Sequence, residues 1–251
     1  MNWKDRMGKA RLSALFYVEN LLGVDTVEPW QKEALESISR EDVRRMSIRS
    51  GHGVGKTTLI SWIFLWWITT RAPVRILVTA NSESQLRDVT WAEILMWANR
   101  LPKEIHGLYD WGLERISLKS NPEECFGSRR TASVDRPEAI QGFHSKHSLV
   151  LVEEASGIPD SLFKYMIGAL STPGSKMILA GNPTRRNGYF YDSHMNPRLS
   201  ELFHKMRVNS EDVPRARAHI EDVIATDGED SNEYRIRVLG EFPPDDRDWE
   251  T

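Results

Sequence analysis

A chain of 251 residues, 40% hydrophobic and 27% charged, can bury a sizeable core and lies outside the polar, core-poor range of disordered chains. The formal net charge of -3 excludes a protein that coats a polyanion through overall basicity, so any nucleic-acid contact has to be local. The single cysteine, Cys125, excludes an internal disulfide and a thiolate zinc framework, and it fits a reducing compartment.

The N-terminal segment MNWKDRMGKARL carries positive charge without the apolar core of a signal peptide. The first clear helix is Glu28 to Ser39, with Pro29 in its first turn and Trp30, Ala34 and Ile38 on one face. A short strand, Met46 to Ser50, leads through a glycine-rich turn into a helix from Lys56 to Thr70 that is apolar nearly all round, which implies burial on most sides. Its apolar run, Leu59 to Ile68, is too short to span a bilayer, so no membrane span is expected. A second strand, Arg75 to Ala80, precedes a helix opened by the capping-box spacing of Ser82 and Gln85 and running to Asn99. Arg115 to Ala132 reads as a hairpin around Asn121-Pro122.

Leu149 to Val152 has the continuous apolar character of a strand buried on both faces, and Met177 to Ala180 repeats it after a helix that begins near Pro159. This alternation predicts an α/β fold with a mostly parallel sheet flanked by helices, one crevice being lined by Ser50, Ala80, Glu153 and Gly181. Beyond Arg207 come short helices, Val213 to Thr226 and Ser231 to Leu239, then Gly240 and an acidic tail. The expected division is a core over 1–207, a small C-terminal lid subdomain over 208–242 and a linker over 243–251.

SGHGVGKT, Ser50 to Thr57, stands between a strand and a helix, the context a phosphate-binding P-loop requires. Gly51, Gly53 and Gly55 let backbone N–H groups turn inward, the helix N-terminus adds positive dipole, Lys56 reaches the β- and γ-phosphates, and Thr57 offers a hydroxyl to Mg²⁺. Ser50 replaces the common first glycine at a position that does not need positive φ. The expected nucleotide-binding set is Ser50, Gly51, His52, Gly53, Val54, Gly55, Lys56, Thr57 and Thr58, together with Gln31 and Asn182.

LVLVEEA, Leu149 to Ala155, places two carboxylates at the end of a buried strand. Side chains alternate there, so Glu153 can face the Mg²⁺ shell while Glu154 poises the attacking water as general base. A solvated acidic pair is the plainer alternative. Asn182, in AGNPT, either reports on the γ-phosphate or opens a turn. Gln31 either pairs with adenine or is a solvated first-turn residue. Arg49 either stabilises the transition state or closes a strand-end salt bridge.

His144 and His147 lack a third ligand and are read as ordinary loop histidines. The pairs Arg129-Arg130, Arg185-Arg186 and Arg215 with Arg217 suit either DNA phosphate or solvent.

In order, the Gln ahead of the P-loop, Arg49 with SGHGVGKT, Thr79-Ala80-Asn81, LVLVEEA and AGNPT resemble the motifs of large terminase subunits of viral DNA packaging. The resemblance covers most of the chain and implies a P-loop NTPase of ASCE type that hydrolyses ATP with Mg²⁺ to translocate double-stranded DNA. It implies Lys56 and Thr57 as nucleotide and magnesium contacts, Glu153 as the magnesium-side acid, Glu154 as the catalytic carboxylate, and residues 180–184 as the coupling motif. It also implies a homo-oligomeric ring, a portal protein and a small terminase subunit as partners in the host cytoplasm, and a ribonuclease-H-type nuclease beyond the linker, absent from this chain. An arginine acting on the neighbouring subunit is expected where Gln141 stands, so that role passes to Arg136, Arg129 or Arg130. A helicase-like remodeller shares these motifs but needs a second motor domain, and an ATP-binding assembly switch needs no poised base such as Glu154.

Overall fold

β-branched runs and apolar helices alternate along the chain, and in the computed structural model, which describes residues 2–244, they assemble into one eight-stranded sheet covered by helices on both faces. The strands are β1 Arg45–Ser50, β2 Val74–Thr79, β3 Tyr109–Trp111, β4 Arg115–Leu118, β5 Cys125–Arg129, β6 His147–Val152, β7 Lys176–Gly181 and β8 His204–Val208. Their order is β3-β4-β5-β2-β6-β7-β1-β8. From β5 to β8 all neighbours run parallel, while β3 and β4 form an antiparallel edge.

Parallel pairing brings the carboxyl ends of β1, β2, β6 and β7 to one side of the sheet, as the polar strand ends predicted. β7 lies between β1 and β6, with Arg49 opposite Gly181 and Val152 opposite Leu179. The glycine-rich and acidic strands are thus separated by one strand, the ASCE arrangement expected from the motif order. Side chains alternate between the faces. Leu149, Leu151, Ile178 and Ala180 enter the larger core, and Val150, Val152, Met177 and Leu179 enter the second. Each large aliphatic side chain so buried contributes about 2 kcal/mol.

The larger core is organised around α4, Lys56–Thr70, buried on nearly every side. α1 Trp3–Leu12 and α2 Ala14–Asn20 pack over it, where Trp66 Nε1 donates to the Ala10 carbonyl at 2.8 Å and Thr69 donates to the Tyr17 hydroxyl at 2.9 Å. Neither helix was legible in advance, because the sequence WKDRMGKARL has almost no apolar periodicity. α3 Pro29–Ser39 forms as expected. The predicted 82–99 helix forms in two parts, a π-helical stretch Gln85–Trp91 and α5 Ala92–Ala98, with Ser82 accepting from the Gln85 amide. Gly127 in β5 admits the Phe64 ring, which a Cβ would meet at 2.5 Å.

On the other face lie α7 Asp160–Gly168 and α8 Gly188–Met195; the second, like β8, carried no clear periodic signal. After a short α6, Lys103–His106, the Arg115 to Ala132 hairpin is observed as β4 against β5.

Past β8 the chain makes α9 Arg217–Asp227 and α10 Asn232–Arg237, joined by a small cluster of Val223, Tyr234 and Val238. The segment is fastened to the glycine-rich loop: His52 N–H donates to the Arg237 carbonyl at 2.7 Å, Gly51 N–H to Val208 at 3.1 Å, and the Ser210 hydroxyl to the His52 carbonyl at 2.9 Å. A Cβ at Gly51 would collide with the Ser210 hydroxyl and with the Arg237 and Val238 carbonyls, so only glycine permits this approach. Of the expected linker over 243–251, residues 245–251 lie outside the described residues. Among the described residues no helix is long and apolar enough to cross a membrane.

Candidate nucleotide site

The loop between β1 and α4 turns through left-handed backbone at Gly53 (φ 72°) and Gly55 (φ 94°), conformations open to glycine at little cost. Ser50 needs no positive φ, as its place at a strand end predicts. The amides of Gly53, Val54 and Gly55 engage no other main-chain group among the described residues, and those of Lys56, Thr57 and Thr58 are the unpaired first-turn amides of α4. Five successive donors from Gly53 to Thr57 at a helix N-terminus form a cradle for anionic oxygens. The amides of Gly51 and His52 belong instead to the C-terminal segment, which narrows the set expected to turn inward.

The loop is braced from behind by the start of α3. Trp30 Nε1 donates to the Val54 carbonyl at 3.2 Å, and Gln31 Nε2 donates to the Gly55 carbonyl at 3.1 Å. Gln31 Oε1 accepts from the Glu28 amide at 3.2 Å, and the residue is 2% exposed. The solvated reading of Gln31 is therefore corrected: the residue is buried, and each end of its amide is bonded to backbone.

Lys56 Nζ donates to Ser50 Oγ and to the Gly51 carbonyl, both at 3.1 Å. Burial lowers its pKa, and Glu154 and Glu153 oppose that shift. Thr57 donates to Glu153 Oε2 at 3.3 Å, linking the first turn of α4 to the end of β6. Glu153 is 2% exposed and its carboxyl is pushed up to about 7, first by burial and second by Glu154, with Lys56 and the Thr57 bond opposing. Its Oε1 is buried without a hydrogen-bond partner, which fits a carboxylate placed to meet a cation or its water shell. Thr57 and Glu153 thus offer the hard oxygen donors that Mg²⁺ takes.

Glu154 is the one non-glycine residue with positive φ among the described residues, at φ 49° and ψ 45°. Such backbone is costly for a side chain with a Cβ and gathers at functional sites. Glu154 lines the cleft while Glu153 is buried; because β6 ends at Val152, the left-handed turn at Glu154, not alternation along the strand, sets their directions apart.

The cavity here, about 220 Å³, is lined by His52 to Thr58 and by Glu93, Glu154, Asn182 and Arg215. Asn182 Nδ2 donates to the Ser50 carbonyl at 2.6 Å, so this amide joins the end of β7 to the start of the loop. Thr58 donates its hydroxyl to Glu93 at 2.5 Å and keeps only its amide for a ligand. Arg215 and Glu93 were not assigned to the cleft beforehand. The Arg215 guanidinium lies over the loop, where a Cβ on Gly55 would come within 2.9 Å of it. Its adjacency is tertiary, and the only sequence cue was an arginine in the expected lid.

Arg49 is corrected. β1 directs Ser50 and Arg49 to opposite faces, and the Arg49 guanidinium sits over the Phe242 ring at 5.2 Å, in a separate cavity with Tyr191 and Glu241. Arg49 therefore does not line the cleft of the glycine loop, and among the described residues it forms no strand-end salt bridge. Arg129 is 8% exposed, facing Glu83 and Glu114 at 3.7 and 3.6 Å, which removes it as a reaching arginine or a DNA contact; Arg136 and Gln141 are exposed on the loop before β6. Among the described residues no group of three metal-ligating side chains gathers, so His144 and His147 form no such cluster.

No family model matches the chain. The probable large terminase subunit of Enterobacteria phage P7 is 28% identical over 256 residues, a match that spans 96% of this chain and 50% of that protein. The chain therefore spans about half the length of that relative. The large terminase ATPase domain of Thermus phage P74-26 superposes with a TM-score of 0.66 at 19% identity, over 92% of this chain and 99% of that one. The large terminase of a thermophilic bacteriophage, in complex with ADP, superposes with a TM-score of 0.64 at 12% identity, over 94% of this chain and 53% of that one. The resemblance to large terminase subunits read from the motifs is borne out, and the fold is that of their ATPase domains.

Proposed function

We propose that this chain hydrolyses ATP as the motor part of a viral DNA-packaging terminase. The observation that carries the reading is the meeting of the Thr57 hydroxyl and Glu153 carboxylate beside the glycine loop, with Glu154 held in left-handed backbone at the same cleft. The relatives support it, since the matched proteins are large terminases and one of the solved structures holds ADP.

The loop amides from Gly53 to Thr57 bind the phosphate oxygens. Lys56 exchanges its bonds to Ser50 and Gly51 for the β- and γ-phosphates. Thr57 and Glu153 would hold Mg²⁺, which when bound would neutralise charge developing on those phosphates. Glu154 orients a water in line with the γ-phosphate and takes its proton. Asn182 carries movement between the loop and β7 through the Ser50 carbonyl. Residues 208–242 act as a lid, with Arg215 placed over the phosphates and Ser210, Arg237 and Val238 against Gly51 and His52.

In this reading the work done on double-stranded DNA requires a homo-oligomeric ring, a portal protein and a small terminase subunit, in the host cytoplasm. No nuclease activity is assigned to these residues. Binding of a fluorescent ATP analogue tests the site: Lys56→Ala is expected to weaken it at least tenfold while Glu154→Gln binds as the parent chain does. Equal binding by Lys56→Ala would sink the assignment.

A further inference from the structure

At the opposite end of the sheet, about 20 Å away along the strands, a cavity of about 550 Å³ opens beside the starts of β6 and β7. Arg11, Arg44, Arg71, Lys176 and His147 line it, together with one carboxylate, Glu41. Among the described residues none of the four cations forms an ion pair within 4 Å.

Three of the cations are fixed in advance. Lys176, 7% exposed, donates to the Arg40 and Val43 carbonyls at 2.6 and 2.5 Å and so retains one N–H. Arg71 stacks on the Trp67 and Trp66 rings at 3.8 and 4.0 Å and donates to Thr70 Oγ1 at 2.6 Å and to the Arg11 carbonyl at 3.4 Å. Arg44 bonds the Leu170 and Thr172 carbonyls at 2.6 and 2.9 Å, and the Ser175 carbonyl at 3.5 Å. His147 Nε2 is buried without a partner.

The plainer reading is that these cations serve only to cap carbonyls. Carbonyl dipoles satisfy their hydrogen bonds but leave four full charges converging on one concavity. Burial holds the Lys176 ammonium down to about 8, and Arg71 adds to that shift while Asp42 and Glu41 oppose it. The Arg71 guanidinium, locked by stacking, and that of Arg44, held by carbonyls, have unused donors that suit the tetrahedral oxygens of a phosphate.

We propose that this basal cavity is a second anion site that takes a phosphate group, either free phosphate or a backbone phosphate of nucleic acid. The site is separate from the P-loop and stands whether or not the ATP reading holds.

The test uses the full chain with Lys56→Ala, which removes phosphate binding at the loop, and follows thermal unfolding against inorganic phosphate at constant ionic strength. Phosphate is expected to raise Tm in Lys56→Ala. Adding Arg11→Ala, an exposed position, or Arg11→Ala with Arg44→Ala should weaken the apparent affinity about tenfold, each protein being compared with itself in chloride. A parallel titration of a labelled DNA duplex separates the sources. A salt slope lower by about 1 per arginine removed, with competition by phosphate, assigns the site to the nucleic-acid backbone. Phosphate binding with an unchanged duplex slope assigns it to free phosphate. Absence of a phosphate-dependent shift in Lys56→Ala, or a shift unaltered by removing both arginines, would overturn the proposal.

Discussion

Gly181, at the end of β7, passes beneath Ala155 so closely that a Cβ on it would stand 3.0 Å from the Ala155 nitrogen and 3.5 Å from the Glu154 carbonyl carbon. The strand between the P-loop and the acidic strand thus supports the turn that presents Glu154. Gly181→Ala is expected to displace that turn by a few tenths of an ångström. Steady-state kinetics should show kcat lower by about tenfold with KM for ATP little changed, since the phosphate cradle is not touched. A rise in KM alone would place the effect in binding instead.

The left-handed backbone of Glu154 gives a second prediction. Asparagine adopts this conformation more readily than glutamate, so Glu154→Asn should keep or raise stability, by up to about 1 kcal/mol of relieved strain, while hydrolysis falls by about 10² or more. A clear loss of stability in thermal unfolding would show that Glu154 holds the turn together, not that the turn holds Glu154.

Much of this was legible in the sequence, for physical reasons. Continuous apolar strands such as Leu149 to Val152 can only be buried on both faces, and a strand, glycine turn, Lys-Thr and helix in that order leave few other uses. Alternation at a strand end suggested that Glu153 and Glu154 diverge, but β6 stops at Val152 and the left-handed turn at Glu154 sets the direction instead. Contacts across the fold were not legible. Gln31 has the same sequence context whether its amide reads a base or braces the Gly55 carbonyl, and only the tertiary approach of α3 decides. Arg49 was misplaced because adjacency to the loop in sequence says nothing of which sheet face its side chain takes. Arg215 reaches the cleft from a segment almost 160 residues after the loop.

Gln31 supplies a third prediction. As a brace for the loop, Gln31→Ala should weaken ATP and GTP binding by similar factors and lower stability by the loss of two partly buried bonds, about 1 kcal/mol each. Competition binding with both nucleotides checks this. A loss confined to ATP would restore Gln31 as a reader of adenine.

His194 gives the pH dependence of stability. It is 8% exposed, bonded through Nε2 to the Ser47 hydroxyl at 2.9 Å, and burial, then Arg49 and Lys205, hold its pKa down to about 3 from 6.5. A depressed histidine pKa means the unfolded chain binds the extra proton first, so its contribution is intact above pH 6.5 and is lost as pH falls toward 3. At pH 5 the cost is about 2 kcal/mol. Denaturant titrations of the parent chain and His194→Gln should converge by about that amount between pH 7 and 5, and parallel curves would contradict the assignment.

The most direct measurement of the central claim is the rate of ATP hydrolysis by the purified chain and by Glu154→Gln, at saturating ATP and over a range of protein concentrations. Turnover that falls by about 10² or more in Glu154→Gln, with nucleotide affinity retained, is the predicted result, and a rate per chain that climbs with concentration would show help from a neighbouring copy. Equal rates in the two proteins would contradict the account, because the strained carboxylate at the end of β6 would then have no part in activating water.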